Sequence, residues 1–259
     1  GKNRLFGMKS FSIQAPDTRK NLSEWYFHKL MKREGLIALR YGFISLNQNG
    51  VNKGVYAIEE SFAKQLIEYN NRREAPILKF DESILIDQTI INQKNTYSQD
   101  ELYQMSKIDV FKSKRTLKSE TLYDQYRKGK ELLSKLRDNQ IPLKEAIDID
   151  KAAKLFAIAD ITNGHHALRW KNVRFYYNPV IGKLELIGFD AMLGHNHIKD
   201  IYYNMWKTNR LSLFDVKSWK DIFYKDPLFQ EKYFFHLARY SEAEYLKAFH
   251  DEIKGEMDL

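Results

Sequence analysis

An apolar helix that runs straight into an acid, and then into a hairpin that ends in a second acid, limits this chain more than any other pattern in it. Ala152-Ala153 and Leu155-Phe156-Ala157-Ile158-Ala159 form a helical run over residues 150–159, and Asp160 follows where it gives way to the loop Thr162-Asn163-Gly164-His165-His166. A carboxyl group set just beyond a buried helix is partly desolvated and held in place, which suits a base or a metal ligand. Two β-rich segments come next, Asn172–Tyr177 and Lys183–Phe189, joined by the turn Asn178-Pro179-Val180-Ile181-Gly182. Pairing Tyr177 with Lys183 sets Asn172 opposite Gly188, about two residues from Asp190 across the ladder. An amide and a carboxylate 18 positions apart thus converge at the open end of one hairpin, and Asp160 is expected at the same end.

Hard oxygen donors of this kind suit Mg²⁺ when phosphate oxygens complete its octahedron. Phosphoryl transfer then asks for positioning, charge neutralisation and an acceptor for the hydroxyl proton. On that reading Asp160 is the base, and Asn172 and Asp190 are the metal ligands. Each has a plainer alternative: Asp160 as a loop cap, Asn172 as a strand-edge residue, Asp190 as a structural acid. His165, His166, His195 and His197 flank the constellation and suggest zinc with Asp190. Adjacent histidines point in different directions, however, and a His-x-His in a polar loop is more often solvated. Trp170, Tyr176 and Tyr177 read as hairpin packing rather than base-stacking platforms.

Composition bounds the function classes. A chain of 259 residues suffices for one large domain or two lobes, and 16 Tyr with 16 Phe supply the apolar surface to order it. The net charge of +8 admits nucleic acid, an anionic membrane or a phosphate-bearing ligand. The basic residues are spread along the chain and alternate with acids, which argues against nucleic acid. The absence of cysteine excludes disulfide frameworks, thiolate zinc sites and cysteine nucleophiles. No run approaches the roughly 18 apolar residues of a membrane-spanning helix. Gly1-Lys2-Asn3-Arg4 leads into a strand-like segment rather than a secretory leader, and without an initiator Met the chain is expected to be a piece of a longer protein.

Met8–Gln14 alternates as a short strand that Pro16-Asp17 ends. Asn21, with Glu24 three residues on, reads as a capping box for a helix over Leu22–Glu34 that buries Leu22, Trp25, Phe27 and Leu30 and stops at Gly35. Residues 37–46 and Gly54–Ile58 predict a hairpin across Asn49-Gly50 with a loop longer than two residues. A helix near Glu60–Asn70 and a strand at Ile77–Phe80 follow. Strand, helix, hairpin, helix is an α+β unit in the order of a small nucleotide-binding lobe, an order many unrelated folds share. Residues 87–120 are polar and read as a loop with short helices. Helical spacing returns from Leu122 to Leu136, over Ile147–Ala159 and over 198–250. The expected organisation is 1–85 as the amino-terminal part, 86–120 as a linking segment and 121–259 as the larger part with the metal site.

The run Ala157-Ile-Ala-Asp160-Ile-Thr-Asn-Gly-His165-His-Ala-Leu-Arg-Trp170-Lys-Asn172, followed by Arg174-Phe-Tyr-Tyr-Asn-Pro179 and Leu184-Glu-Leu-Ile-Gly-Phe-Asp190, resembles the core of the spore coat protein H (CotH) kinase family. Met8-Lys-Ser-Phe-Ser-Ile-Gln-Ala-Pro16, Glu24-Trp-Tyr-Phe-His28, Gly35-Leu-Ile, Arg40-Tyr41 and Gly54-Val-Tyr-Ala-Ile-Glu-Glu60 resemble that family's amino-terminal lobe. The resemblance covers about residues 5–80 and 150–195. It implies an atypical protein-kinase-like, two-lobed fold: a small β-rich lobe and a larger, mainly helical lobe that carries a catalytic hairpin. It further implies ATP and Mg²⁺ or Mn²⁺ as cofactors, a protein Ser or Thr hydroxyl as acceptor, and a cell-envelope or extracytoplasmic setting. By position, Asp160 matches the catalytic aspartate, and Asn172 and Asp190 the metal ligands. Lys9 is the candidate for the phosphate-binding lysine, with Glu24 or another acid as its partner. The backbone near Ile58 would face the adenine, although the following Glu59 and Glu60 suit a helix start equally well.

Three departures from ordinary kinases stand out. Eleven residues separate Asp160 from Asn172, where four are usual; Phe189-Asp190-Ala191 inverts Asp-Phe-Gly; and only Gly7 lies near Lys9 in place of a glycine-rich loop. The family's loop strands would precede Gly1, so part of the ATP cradle is expected outside this sequence. The missing glycine loop favours the main alternative, a pseudokinase or structural assembly protein using the fold as a docking surface. A His/Asp metal hydrolase is the third reading.

Overall fold

The strands of this chain collect in two small antiparallel sheets, set among helices. The computed structural model describes residues 3–87, 97–191 and 218–257. β1 (Phe11–Gln14) is followed by the 3₁₀ turn Pro16–Arg19 and helix α1 (Ser23–Arg33), then by the hairpin of β2 (Tyr41–Gln48) and β3 (Val51–Glu60). β3 is the middle strand: β1 lies along one edge, with Phe11 opposite Glu60, and β2 along the other.

The hairpin closes more tightly than expected. Gln48 pairs with Val51, leaving Asn49-Gly50 as a two-residue turn with φ of 54° and 81°. Two left-handed residues make the turn whose twist matches its strands, and Asn-Gly tolerates that conformation best. Gly54, expected to open the second strand, instead sits beside a register shift at Leu46/Asn47 with φ of 84°, a bulge inside a longer strand.

The capping box expected at α1 does not form. The helix begins after Leu22, which is 44% exposed, and no side chain caps it; Asn21 is itself left-handed at φ 56°. Glu24 turns inward instead and joins Trp25, Phe27, His28, Leu30 and Met31 on the buried face. The pull on Glu24 comes from donors elsewhere in the fold, described below.

The second sheet has the order β5-β4-β6-β7, from β4 (Ile77–Phe80), β5 (Ile108–Val110), β6 (Arg174–Asn178) and β7 (Lys183–Ile187). β5 falls in the stretch read as polar loop, because three residues are too few to show a period. Short helices α2 (Lys64–Tyr69), α3 (Ser83–Ile86), α4 (Gln99–Met105), α5 (Ser113–Lys118) and α7 (Leu143–Ala146) fill the connections around the long α6 (Glu120–Arg137). Ser119 caps α6 by accepting from the Leu122 amide, and Asp148 caps α8 (Ile149–Ile161) by accepting from Lys151.

α8 is the centre of the core, with Ala152, Ala153 and the whole run Leu155–Ala159 buried. Phe156 stands among the rings of Trp219, Phe223, Tyr224 and Phe229, with centroids 5.1–6.1 Å away. Those partners come from α9 (Asp221–Lys225) and its lead-in and from α10 (Pro227–Tyr240), which lies along α8 and is followed by α11 (Ala243–Met257). The helical reading of 198–250 is met from residue 221 onward, while 198–217 lie outside the described residues. Among the described residues no helix is long and apolar enough to cross a membrane.

Gly188, just beyond β7, admits no side chain: a Cβ there would lie 2.7 Å from Phe27 Cζ and 2.9 Å from Leu155 Cδ1. Gly188→Ala is therefore expected to lower the unfolding free energy by about 1–3 kcal/mol. Gly255→Ala, in open space on α11, should raise it by roughly 0.5–1 kcal/mol. Urea unfolding of the two variants measures both signs.

Candidate functional site

The hairpin of β6 and β7 pairs one residue out of the expected register, with Tyr177 opposite Leu184 and Asn178 opposite Lys183. Asn172 accordingly lies before the strand, in the turn after the 3₁₀ segment His165–Leu168, and is not a strand residue. The convergence survives this shift: Asn172 Nδ2 is 3.2 Å from Asp190 Oδ2.

Asp190 has φ of 62°, a left-handed conformation uncommon for a residue with a side chain. Glu24 holds it there. The Glu24 carboxylate accepts from the backbone N–H of Asp190 at 2.9 Å and of Ala191 at 2.6 Å. Two successive amides thus aim at one anion, as in a backbone nest. A third donor comes from one turn further along α1, where His28 Nε2 lies 3.1 Å from Glu24 Oε1. His28 Nδ1 accepts from the Leu39 N–H at 3.3 Å, so the ring proton sits on Nε2 and is donated to Glu24. A carboxylate with no exposure needs such donors, because a buried charge without partners is costly.

The carboxylate of Asp190 is itself engaged. Arg19, from the 3₁₀ turn before α1, forms an ion pair with it, and the same guanidinium lies 5.4 Å from the Phe189 ring. His166 Nδ1 approaches from the other side, 3.0 Å from Asp190 Oδ2 and 2.8 Å from the Asp190 carbonyl oxygen.

Asp160 belongs to the last turn of α8 rather than to the loop beyond it. Its carboxylate accepts from the Tyr233 hydroxyl and lies 3.2 Å from His165 Nε2. Burial pushes its pKa up to about 7, against the opposing hydrogen bond from Tyr233. The loop after it reaches the hairpin end through Gly164, where a Cβ would stand 3.2 Å from both Ala191 Cβ and Phe27 Cδ2. Among the described residues no hydrogen bond or ion pair joins Asp160 to Asn172 or Asp190. Two of the three expected groups touch, whereas the contacts of Asp160 are to Tyr233 and His165, and it is Gly164 of the loop after it that packs by Ala191.

Lys9 and Ile58 stand apart from that centre. Lys9 is exposed and lines a groove with Phe62, Lys64, Phe111, Lys112 and Arg115; among the described residues no ion pair ties it to Glu24 or Asp190. Ile58 is 3% exposed in the middle strand, flanked by Ile13 and Gly42. Three residues at the centre escaped sequence reasoning as functional groups, Arg19, His28 and Glu59, while His166, read from the sequence as a zinc candidate beside Asp190, contacts both Asp190 and Asn172. Only His28 left a local signal, its i,i+4 spacing from Glu24. His195 and His197 lie outside the described residues.

The donor set at Asn172 and Asp190 fits a hard divalent cation on one condition. As it stands, the Asn172 amide presents Nδ2 to Asp190 and also to the His166 carbonyl oxygen, 2.9 Å away. A half-turn of the amide would bring Oδ1 to that place. The 3.2 Å spacing from that place to Asp190 Oδ2 is compatible with the roughly 3 Å edge of an octahedron with Mg–O bonds of about 2.1 Å. Glu24, His28 and Glu59 form a second group, with ligand-type atoms within 4.8 Å of one another. That group does not suit a metal, because the proton on His28 occupies the very nitrogen that faces Glu24.

Glu59 Oε2 accepts only a long bond from Gln14, and Oε1 has no partner. Burial and the nearby Glu24 charge raise its pKa to about 7. Between about 4.5 and about 7 the folded state holds a proton that the unfolded chain has lost, so stability falls as pH rises through that window. Glu59→Gln removes the charge, and its stability relative to wild type should rise by about 2–3 kcal/mol between about pH 4.5 and about pH 8. Urea unfolding across that range tests it, and a flat difference would exclude a buried charge at Glu59.

No protein-family model matches the chain, and no curated protein matches its sequence.

Proposed function

We propose that this chain is a nucleotide- and Mg²⁺-dependent phosphotransferase of the atypical protein-kinase kind, which passes the terminal phosphoryl group of ATP to a Ser or Thr hydroxyl of a protein. The observation that carries it is the meeting of Asn172 and Asp190, with Asp190 held in a strained backbone state by Glu24. Strained, over-determined conformations cluster where a side chain must be aimed. In the two-lobed reading, the sheet of β1, β2 and β3 with α1 is the small lobe, and α6, α8, α10 and the β6–β7 hairpin belong to the large one.

The chemistry asked of the chain is modest. Asp160, with a pKa near 7, is poised to take the proton of an incoming hydroxyl at neutral pH. Its hydrogen bond to Tyr233 restricts which way the carboxylate faces. Asn172 and Asp190 would hold Mg²⁺, or Mn²⁺ with its similar taste for oxygen, and the ion would neutralise charge on the transferring phosphate. Glu24 keeps the Asp190 side chain aimed through the backbone on either side of it.

A second reading draws on the same contacts. Asp190 is engaged by Arg19, Asn172 and His166, and Lys9 stands away from the centre, as suits a pseudokinase that keeps the arrangement for docking. Melting curves with Mg²⁺ and ATP separate the two, because a ligand that binds the folded state raises the melting temperature by mass action. The phosphotransferase reading expects a rise in wild type and its loss in Asp190→Ala. Asp160→Asn should keep the rise while labelled phosphate transfer to a Ser-rich acceptor falls by about 10²–10⁴-fold. Transfer at the wild-type rate in Asp160→Asn would remove Asp160 as the base.

A further inference from the structure

Two arginines stand at this centre: Arg174 lies over the Phe189 ring within electrostatic reach of Asp190, and Arg19, which pairs with Asp190 directly, is delivered by a turn of unusual shape. The 3₁₀ turn Pro16–Arg19 is followed by Lys20 and Asn21, both left-handed with φ of 54° and 56°. Two such residues reverse the chain between β1 and α1 and send the Arg19 side chain inward, where only 17% of it remains exposed. There the guanidinium pairs with Asp190 through one terminal nitrogen, lies beside Phe189, and is close enough to Glu59 and Tyr41 to influence both. Its Nε is buried without an acceptor.

A guanidinium is a planar fork of five donors that engages two oxygens of a phosphate at once. Here the fork meets a single carboxylate that the proposed chemistry needs for a metal, and one buried donor is left over. Lys9 is exposed, and among the described residues no ion pair ties it to Asp190. We infer that Arg19, not Lys9, is the phosphate-binding cation of the nucleotide site, and that it is exchanged between two partners: Asp190 in the present arrangement, and the terminal phosphates once a metal–nucleotide complex binds. The inference rests on the phosphotransferase reading. Asp190 would then be neutralised by the metal it holds, and the guanidinium of Arg19 would be left to offset charge on the phosphates.

Exchange has a signature that a merely structural arginine lacks. Removing Arg19 frees Asp190 for a cation but strips the nucleotide of a charged contact, so metal alone and metal–nucleotide should respond with opposite signs. The test titrates Mn²⁺ alone, followed by its paramagnetic signal, and then ATP with Mn²⁺ and AMP by calorimetry. It uses the full chain as wild type, Arg19→Met, Arg19→Lys and Lys9→Met.

For Arg19→Met the expected result is Mn²⁺ alone bound about three- to tenfold more tightly and Mn²⁺–ATP roughly 10–100-fold more weakly, with AMP changed less than about threefold. Arg19→Lys keeps the charge without the fork and should lose roughly tenfold for Mn²⁺–ATP, which preserves the test if Arg19→Met does not fold. Unchanged Mn²⁺–ATP affinity in both Arg19 variants would overturn the inference. So would equal weakening of ATP and AMP, or a loss confined to Lys9→Met. A wild type that binds neither Mn²⁺ nor ATP would overturn the phosphotransferase reading itself, and the role of Arg19 with it.

Discussion

One buried carboxylate organises this centre. Glu24 takes hydrogen bonds from two consecutive amides of the hairpin exit and from the histidine one turn along its own helix. Each donor would otherwise be buried without a partner, and so would the acid, so the contact is costly to break from either side. Its geometric effect is larger than its energy. Helix α1 lies in the chain between β1 and β2 of the three-stranded sheet and Asp190 follows β7 of the four-stranded one, and the Glu24 bonds tie the two together. The left-handed backbone of Asp190 persists because both of its flanking N–H groups have one anion to point at.

Around that bond acids outnumber arginines. Glu24, Glu59 and Asp190 gather here, with Arg19 paired to Asp190, Arg174 within electrostatic reach of it, His28 beside Glu24 and His166 beside Asp190. Glu59 has an oxygen without a partner among the described residues, and burial, with the Glu24 charge beside it, raises its pKa to about 7. A divalent cation at Asp190 would add positive charge to a centre short of it. At Asp160 burial raises the pKa, opposed by the Tyr233 hydroxyl and the Lys220 charge.

The parts of this centre legible in the sequence were those with local periodicity. The apolar run into Asp160 and the two β-rich segments around Pro179 predicted a buried helix and a hairpin, and both exist at nearly the expected bounds. The convergence of Asn172 with Asp190 followed from the hairpin alone, although the register was out by one and Asn172 precedes its strand. The capping box at Asn21 failed because a local hydrogen-bond rule competed with a partner 166 residues away. Arg19 was invisible for a related reason. Its position comes from two left-handed residues, Lys20 and Asn21, of types whose sequence does not announce that conformation. Lys9 is a candidate only by the resemblance, which needs a strand lysine, yet the strand begins at Phe11 and leaves Lys9 outside it.

The glycines explain why the acids and the core cannot be separated. Phe27, on the turn of α1 after Glu24, is fully buried against Gly188 on the hairpin exit and Gly164 on the loop after α8. A side chain at either glycine would push that ring away, and with it the helix that carries Glu24. The same aromatic wedge therefore sets the distance from Glu24 to the Asp190 amides and brings the Asp160 loop against Ala191. Close packing transmits such a shift rather than absorbing it, because an interior filled at crystal density has no slack to take up an added methyl group. The polar geometry of the centre is thus a consequence of apolar contacts behind it. Substitutions that never touch a charged group, at Gly164 or Phe27, should reach the acids as surely as substitutions of the acids themselves.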